Sequence, residues 1–227
     1  MKIQNKSNSS QIILGPAVAV DTLIFAIRKE KLNVLLIKIS QGSYQNQWAL
    51  PGGLVALNET LTEAAERTLR DKGGIQGVYL EQLYSFSDVN RDRRGRSVSV
   101  AYFALVNSDR LEPKTSEVYS DIQWHAVNQL PSLAFDHREM IHMGVQRLRD
   151  KIGYSNIAYG LLPREFTLTE MQKVYEIILG REIDKRNFRK QVKAWGVVEP
   201  THKMQSGLKN RPAELFRFKK RSLVFTK

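Results

Sequence analysis

Between Gly53 and Ile75 the chain reads GLVALNETLTEAAERTLRDKGGI, a loop and then an amphipathic helix from about Glu59 to Lys72 that carries Asp71 near its end. Hard divalent cations need clustered carboxylate oxygens, and helical spacing of three to four residues supplies them. This helix instead sets a hydroxyl, Thr68, and a cation, Lys72, beside Asp71. Like charge close to an ion is strongly repulsive in a partly buried site, so tight Mg²⁺ binding is not expected. No catalytic residue, metal or cofactor is assigned.

A second constellation lies near the other end of the chain. From about Asp184, KRNFRKQVKAW spaces Phe188, Val192 and Trp195 four and three apart on one apolar face. The opposite face carries Lys185, Arg186, Arg189, Lys190 and Lys193, with Asn187 near the start. Upstream, Phe166–Thr169 begins another helix with a Thr cap. Its buried stripe is Leu168, Met171, Val174, Tyr175 and Ile178, and Gly180 ends it. Helix, short Gly-containing turn and helix is the DNA-binding helix-turn-helix arrangement. Downstream, the strand-like VVEP and ELFRF flank a loop bearing Lys203, Lys209 and Arg211, which reads as a basic wing. The charge balance agrees: residues 1–150 hold 18 Lys/Arg and 16 Asp/Glu, whereas residues 151–227 hold 17 and 7. That excess in a small region is the footprint of a polyanion partner.

The elements that position these groups follow from periodicity. AVAVDTLIFAI and VLLIKIS are strands of a hairpin turning at RKEKLN, interrupted only by Asp21 and Lys38. Closure at Lys29 to Leu32 sets these two charges nearly opposite each other, and a structural ion pair is expected. VYLEQLYSFSDVN and SVSVAYFALV alternate as strands around RDRRGR. A short strand then leads to a closing helix, with Asp136 placed to cap it and Met140, Ile141, Val145 and Leu148 covering the sheet. The chain of 227 residues suits two domains. It has no cysteine, no apolar run of the ~18 residues needed to span a bilayer, and no apolar secretory segment in MKIQNKSNSSQ, so a cytoplasmic protein without membrane partners is expected.

The Gly53–Ile75 stretch resembles the Nudix box, whose signature runs Gly, five residues, Glu, seven residues, Arg-Glu, apolar, any residue, Glu-Glu, any residue, Gly, apolar. Gly53, Glu59, Arg67, Leu69, Gly74 and Ile75 fall in register, while the three remaining acidic positions hold Thr68, Asp71 and Lys72. In that family the glutamates hold Mg²⁺ against a diphosphate, so the resemblance implies a retired active site. Two further stretches resemble the Nudix-related transcriptional regulators. Arg91-Asp92-Arg93-Arg94-Gly95, followed by Tyr102, corresponds to their Arg-Asp-Pro-Arg-Gly with Arg93 in place of proline. Leu133-Ala-Phe-Asp-His137 matches another of their patterns, and KRNFRKQV with RPAELFRF matches their winged domain.

The expected architecture is therefore a Nudix-like α/β/α sandwich followed by a small winged helix-turn-helix domain. Residues 1–14 form a disordered tail, 15–152 an effector-binding domain, 153–162 a linker and 163–227 the DNA-binding domain. The resemblance implies a homodimeric regulator, a repressor by expectation, on a palindromic operator in double-stranded DNA. Its family responds to ADP-ribose or to sugars. Without an acidic cluster to bridge a diphosphate through metal, the expectation is a neutral sugar, L-arabinose first, held by Asp21, Lys38, Gln47, Trp48 and Asp88 around the former substrate cleft. The alternatives are an ADP-ribose-responsive regulator of NAD biosynthesis, with Arg67, Arg70 and Lys72 gripping phosphates, and an active Nudix hydrolase.

Overall fold

β-Branched and aromatic residues alternate through the first strand, and its two faces feed two different layers. In the computed structural model, which describes residues 15–107, 119–205 and 212–226, β1 spans Ala17–Arg28 and β2 spans Lys31–Ile39. Lys29 and Glu30 join them at φ 47° and 57°. This left-handed pair matches the twist of a two-residue hairpin, a conformation that non-glycine residues adopt at a cost.

The β1–β2 register runs from Arg28↔Lys31 to Phe25↔Val34. Continued, it would set Asp21 against Lys38, but the strands part first. β3 (Trp48–Ala49) pairs with Ile37 and Lys38, and β4 (Gly52–Leu54) pairs with Ala19, Val20 and Asp21. The β3–β4 segment thus fills the fork between β1 and β2, with the Thr22 N–H donating to the Pro51 carbonyl at 2.7 Å. Asp21 consequently faces Gly52, and the expected Asp21–Lys38 ion pair does not form.

β5 (Tyr79–Phe86), β6 (Ser97–Leu105) and β7 (Tyr119–Ala126) complete the sheet. β1 and β6 are parallel, and all other neighbours are antiparallel. On one face, Val20 and Ile24 of β1 meet Ala64, Ala65 and Leu69 of α1 (Leu61–Gly73). On the other, Leu23 and Phe25 meet Met140, Ile141 and Val145 of α2 (His137–Ile152). Gly144 lets α2 come close: a Cβ there would lie 2.5 Å from Leu23 Cδ2. The first half is thus an α/β/α sandwich, and α1 opens with reciprocal Thr60–Glu63 capping.

The second half is a winged helix. α3 (Leu168–Leu179) starts at a Thr167–Glu170 capping box and ends at Gly180 with φ 69°. α4 (Lys185–Trp195) is capped by Asp184, whose side chain accepts the Asn187 N–H, and β8 (Val198–Met204) pairs with β9 (Glu214–Phe218). Tyr175, Phe188 and Trp195 form its aromatic centre, with ring centroids 5.2 to 6.4 Å apart.

The connection between the halves is buried. Ser155, Asn156, Ile157 and Ala158 have almost no exposed surface, and Ile157–Gly160 form a 3-10 helix whose Gly160 sits against Leu105. The C-terminal residues strap over it. The Asn156 side chain donates to the Ser222 carbonyl and accepts the Val224 N–H, and the Arg221 guanidinium donates to the Tyr159, Leu162 and Pro163 carbonyls. One apolar core therefore runs from Leu23 and Phe103 through Tyr159 to Phe188 and Phe218. Among the described residues no helix is long and apolar enough to cross a membrane. The expected tail, residues 1–14, and the tip of the wing, residues 206–211, lie outside the described residues.

Candidate functional site

A cavity of about 620 Å³ opens where β1, β4 and the start of α2 meet the Arg91–Ser97 loop. Its floor is Asp21. A Cβ on Gly52 would fall 2.0 Å from Asp21 Oδ1 and 2.7 Å from the Val20 carbonyl oxygen, so this approach requires glycine. Asp21 accepts the Ser99 hydroxyl at 2.6 Å and lies 3.4 Å from His137 Nε2 and 3.7 Å from Arg91. His137 Nδ1 accepts the Leu50 N–H at 2.9 Å, which leaves the ring hydrogen on Nε2, aimed at Asp21. Burial pushes the Asp21 carboxyl up, but His137, Ser99 and Arg91 outweigh it and hold the group below its ordinary value.

The walls are rich in guanidinium groups. Arg91, almost fully buried, forks onto Asp136 at 2.8 and 2.9 Å and donates to the Ser97 hydroxyl at 3.1 Å. Arg94 forks onto Asp92 and lies over the Phe135 ring at 5.2 Å, with Tyr44 tilted 35° against Phe135 at 4.1 Å between centroids. The hydrogen bond from Arg94 holds the Asp92 carboxyl below its ordinary value despite partial burial. Arg96 donates to the Ser87 and Asp88 carbonyls. Arg91, Arg94 and Arg96 thus line the space against two carboxylates, Asp21 and Asp92. Planar forks of this kind recognise phosphate or carboxylate oxygens in pairs.

Of the five residues expected around an effector, the cavity contains Asp21 alone. Ile37 and Ile39 line it, so the alternation of β2 turns Lys38 to the other face, where its register partner is Asp121. Trp48 packs edge-on to His125 at 4.6 Å, and Gln47 contributes its carbonyl to the Ile39 N–H. Asp88 is exposed, its carboxylate accepting the Asn90 N–H. The cavity is lined instead by Arg91, Arg94, Arg96, Ser97, Phe135 and His137, which the sequence reading did not place in a site although they lie in or beside the two stretches RDRRGR and LAFDH. Asp136 does not cap α2 with its side chain, because Arg91 takes the carboxylate.

The box residues have other employment. Arg67 grips Glu59 at 2.6 and 2.9 Å; with the Ala56 N–H it pulls the Glu59 carboxyl down to about 2. Thr68 is fully buried with its hydroxyl unpartnered, Asp71 is exposed beside Arg70 at 3.3 Å, and Glu63 serves the helix cap. Gly53 lines the cavity from β4, and Gly74 ends α1 at φ 64°. The Lys72 side chain lies outside the described residues. No group of three or more acidic or histidine side chains converges among the described residues, so this donor set does not fit a divalent cation.

α4 presents Lys185, Arg186, Asn187, Arg189, Lys190 and Lys193, all exposed, while Phe188 and Val192 are buried. Lys203 is held by Glu165 at 2.7 Å, a contact it must give up to reach another anion. Lys209 and Arg211 lie outside the described residues.

Comparison with known proteins matches residues 15–143 to the NUDIX domain and residues 158–218 to the NrtR DNA-binding winged helix domain. The ADPR responsive transcriptional repressor NtrR of Acinetobacter baylyi is 40% identical over 208 residues, 90% of this chain and 82% of that protein. Shewanella oneidensis NrtR complexed with a 27mer DNA superposes with a TM-score of 0.79 at 32% identity, covering 89% of this chain and 93% of that one. The NUDIX domain of the Shewanella protein complexed with ADP ribose superposes at 0.54 and 33% identity over 60% of this chain and 90% of that one. The expectation of an L-arabinose sensor is overturned by these relatives, one named for its response to ADP-ribose and one holding it. The physical error lay in discounting a diphosphate for want of metal, when the cavity carries arginines instead. A NUDIX domain joined to an NrtR winged helix, with similarity along nine-tenths of this chain to a repressor of that kind, means that the chain belongs to the Nudix-related transcriptional regulators.

Proposed function

We propose that this protein is an ADP-ribose-responsive transcriptional repressor whose sensor, residues 15–152, binds the effector in the arginine-lined cavity. The observation that carries this reading is the convergence of Arg91, Arg94 and Arg96 on the Asp21–Gly52–Gly53 floor. A diphosphate brings two negative charges, and guanidinium forks neutralise them without a bridging cation. Gly52 keeps the floor clear of a side chain over Asp21, and Phe135, backed by Tyr44, offers an aromatic wall. The chain acts as a sensor, not a hydrolase. Incubated with ADP-ribose and Mg²⁺ or Mn²⁺, it yields no product above background.

The DNA-binding half, residues 163–227, reads an operator through α4. Arg186, Asn187 and Arg189 have the planar donor sets that address base edges, whereas Lys190 and Lys193, with Lys209 of the wing, suit phosphates. One short helix makes too few base contacts for regulation, so a homodimer on a palindromic site supplies two. The resemblance ties ADP-ribose response to control of NAD biosynthesis, and that is the proposed regulon.

Calorimetry in a chelating buffer tests the reading, with ADP-ribose and L-arabinose titrated side by side. ADP-ribose gives saturable heat, and Arg94→Ala weakens it about tenfold or more, the loss of one charge-assisted hydrogen bond. Absence of ADP-ribose heat from the wild-type chain overturns it.

A further inference from the structure

α2 connects the cavity to the winged helix at its two ends. Its 16 residues make a rod about 24 Å long. At the N-terminal end Asp136 is latched to Arg91 and His137 is held between Leu50 and Asp21, and Arg91, His137 and Asp21 all line the cavity. At the C-terminal end Arg149 Nε donates at 3.0 Å to the Ile178 carbonyl, one of the last in α3. A cation there satisfies an orphan carbonyl and complements the negative end of the α3 dipole. Between the ends, Met140, Ile141, Leu148 and Ile152 are buried, and Gly144 seats the helix so close to Leu23 that an added Cβ would lie 2.5 Å from it. A rod seated in this way passes a displacement at one end to the other, because packed interiors do not absorb it.

Further ties reach α3 or α2 from the same domain, and Arg147, which pairs with Glu81 at 3.2 Å, holds α2 to β5 without touching α3. Lys173 pairs with Glu30 at the β1–β2 turn, but both are well exposed, and such pairs contribute little. Lys151 pairs with Glu81 and reaches the Tyr79 hydroxyl at 3.3 Å, which anchors α2 to β5 and leaves α3 untouched. Arg149 is therefore the polar contact through which movement of α2 reaches α3.

Resting on the effector reading above, we propose that α2 is the lever coupling the cavity to DNA, with the Arg91–Asp136 pair as its latch and Arg149 as its coupling residue. An anionic effector that draws Arg91 toward itself leaves the Asp136 carboxylate free to turn onto the first turn of α2, where the Glu139 N–H at present donates to the Asp136 carbonyl at 2.9 Å. That rotation is a cap the helix lacks at present. The N-terminal end of α2 then resettles, Arg149 shifts against the end of α3, and the recognition helix carried behind α3 changes its placement relative to a second copy. The two ligands are linked through one element, so the effect of ADP-ribose on DNA affinity equals the effect of DNA on ADP-ribose affinity.

The test uses the full chain and a DNA duplex recovered by the wild-type protein from a randomised pool. In the wild type, saturating ADP-ribose changes DNA affinity by about tenfold or more, within the usual range of allosteric coupling. Arg149→Ala binds ADP-ribose and DNA separately within about threefold of wild type, yet its DNA affinity no longer responds to ADP-ribose. Arg149→Lys, which keeps a donor, restores part of the response. Wild-type coupling in Arg149→Ala overturns the lever. A second measurement needs no effector. Asp136→Asn opens the latch and by itself shifts DNA affinity, and the shift disappears in the Asp136→Asn, Arg149→Ala double variant. Additive effects in that cycle also overturn the lever. Failure of the wild type to bind ADP-ribose counts against the effector reading alone, since the cycle still decides the lever.

Discussion

Asp21 and Asp136 share one guanidinium, that of Arg91, at 3.7 and 2.8 Å, and all three side chains are largely withdrawn from solvent. Removing one member of such a set leaves the others charged and unpaired, which typically costs about 3 to 5 kcal/mol. Arg91→Ala is accordingly expected to lose about 3 kcal/mol in urea denaturation at neutral pH. Arg91→Lys recovers only part, because an ammonium cannot fork. A loss near that of an ordinary surface substitution, within about 0.5 kcal/mol, would show that the network carries no stability. The pH dependence has a definite sign. The folded Asp21 carboxyl lies below its ordinary value of 3.8, so its contribution is complete above that pH and is lost as the pH falls through the lower folded value. Asp21→Asn removes that part of the acid limb, read by denaturation at stepped pH. The charge types at these positions were plain in the sequence; that Asp21 would choose His137 and Arg91 over Lys38 was not, because a third segment enters the fork between the strands.

At the scale of elements, α4 was legible almost residue by residue. Its start near Asp184, its apolar triad and its basic face are local signals, and local signals suffice when a helix needs only one face buried; the Asp184 side-chain cap and the left-handed Gly196 are details the structure adds. The cations on its free face divide by chemistry. Lys190→Ala is expected to weaken binding to all duplexes alike and to lower the salt slope by about one. Arg189→Ala instead relaxes discrimination at one base position, by about 1 to 3 kcal/mol. Gel-shift titration at several salt concentrations separates the two outcomes. A triple Arg186, Arg189, Lys193→Ala variant that still shifts the duplex at physiological salt would remove α4 from the interface. The Arg91–Ser97 loop shows the opposite case. RDRRGR was legible as a charged joint between two strands and as a family match, but not as a wall: Arg91 is buried and the loop makes one side of the cavity.

The whole molecule is held as one body by the segment expected to be a linker. Asn156, Ile157 and Ala158 are buried, Arg221 secures three carbonyls across the junction, and the apolar core continues from the sheet into α3 and α4. Continuity of this kind predicts a single cooperative transition in calorimetric melting, with equal calorimetric and van't Hoff enthalpies. Two resolved transitions would show that the halves unfold independently. Asn156→Ala, which strips the strap of its hydrogen bonds to Ser222 and Val224, is expected to lower the transition temperature and begin to split it.

Periodicity, caps and charge are properties of neighbours along the chain. They determined the order of strands and helices, the winged helix with its basic face, and the residue types at the box positions, Thr68, Asp71 and Lys72. Strand register beyond the β1–β2 turn, the burial of the 155–158 connection and the meeting of Arg91, Arg94 and Arg96 with Asp21 depend on residues far apart in sequence. Only packing brings those together. The proposed diphosphate effector leans on that second class: the fold gathers guanidinium groups from the Arg91–Ser97 loop around Asp21, and neighbours along the chain do not set that gathering.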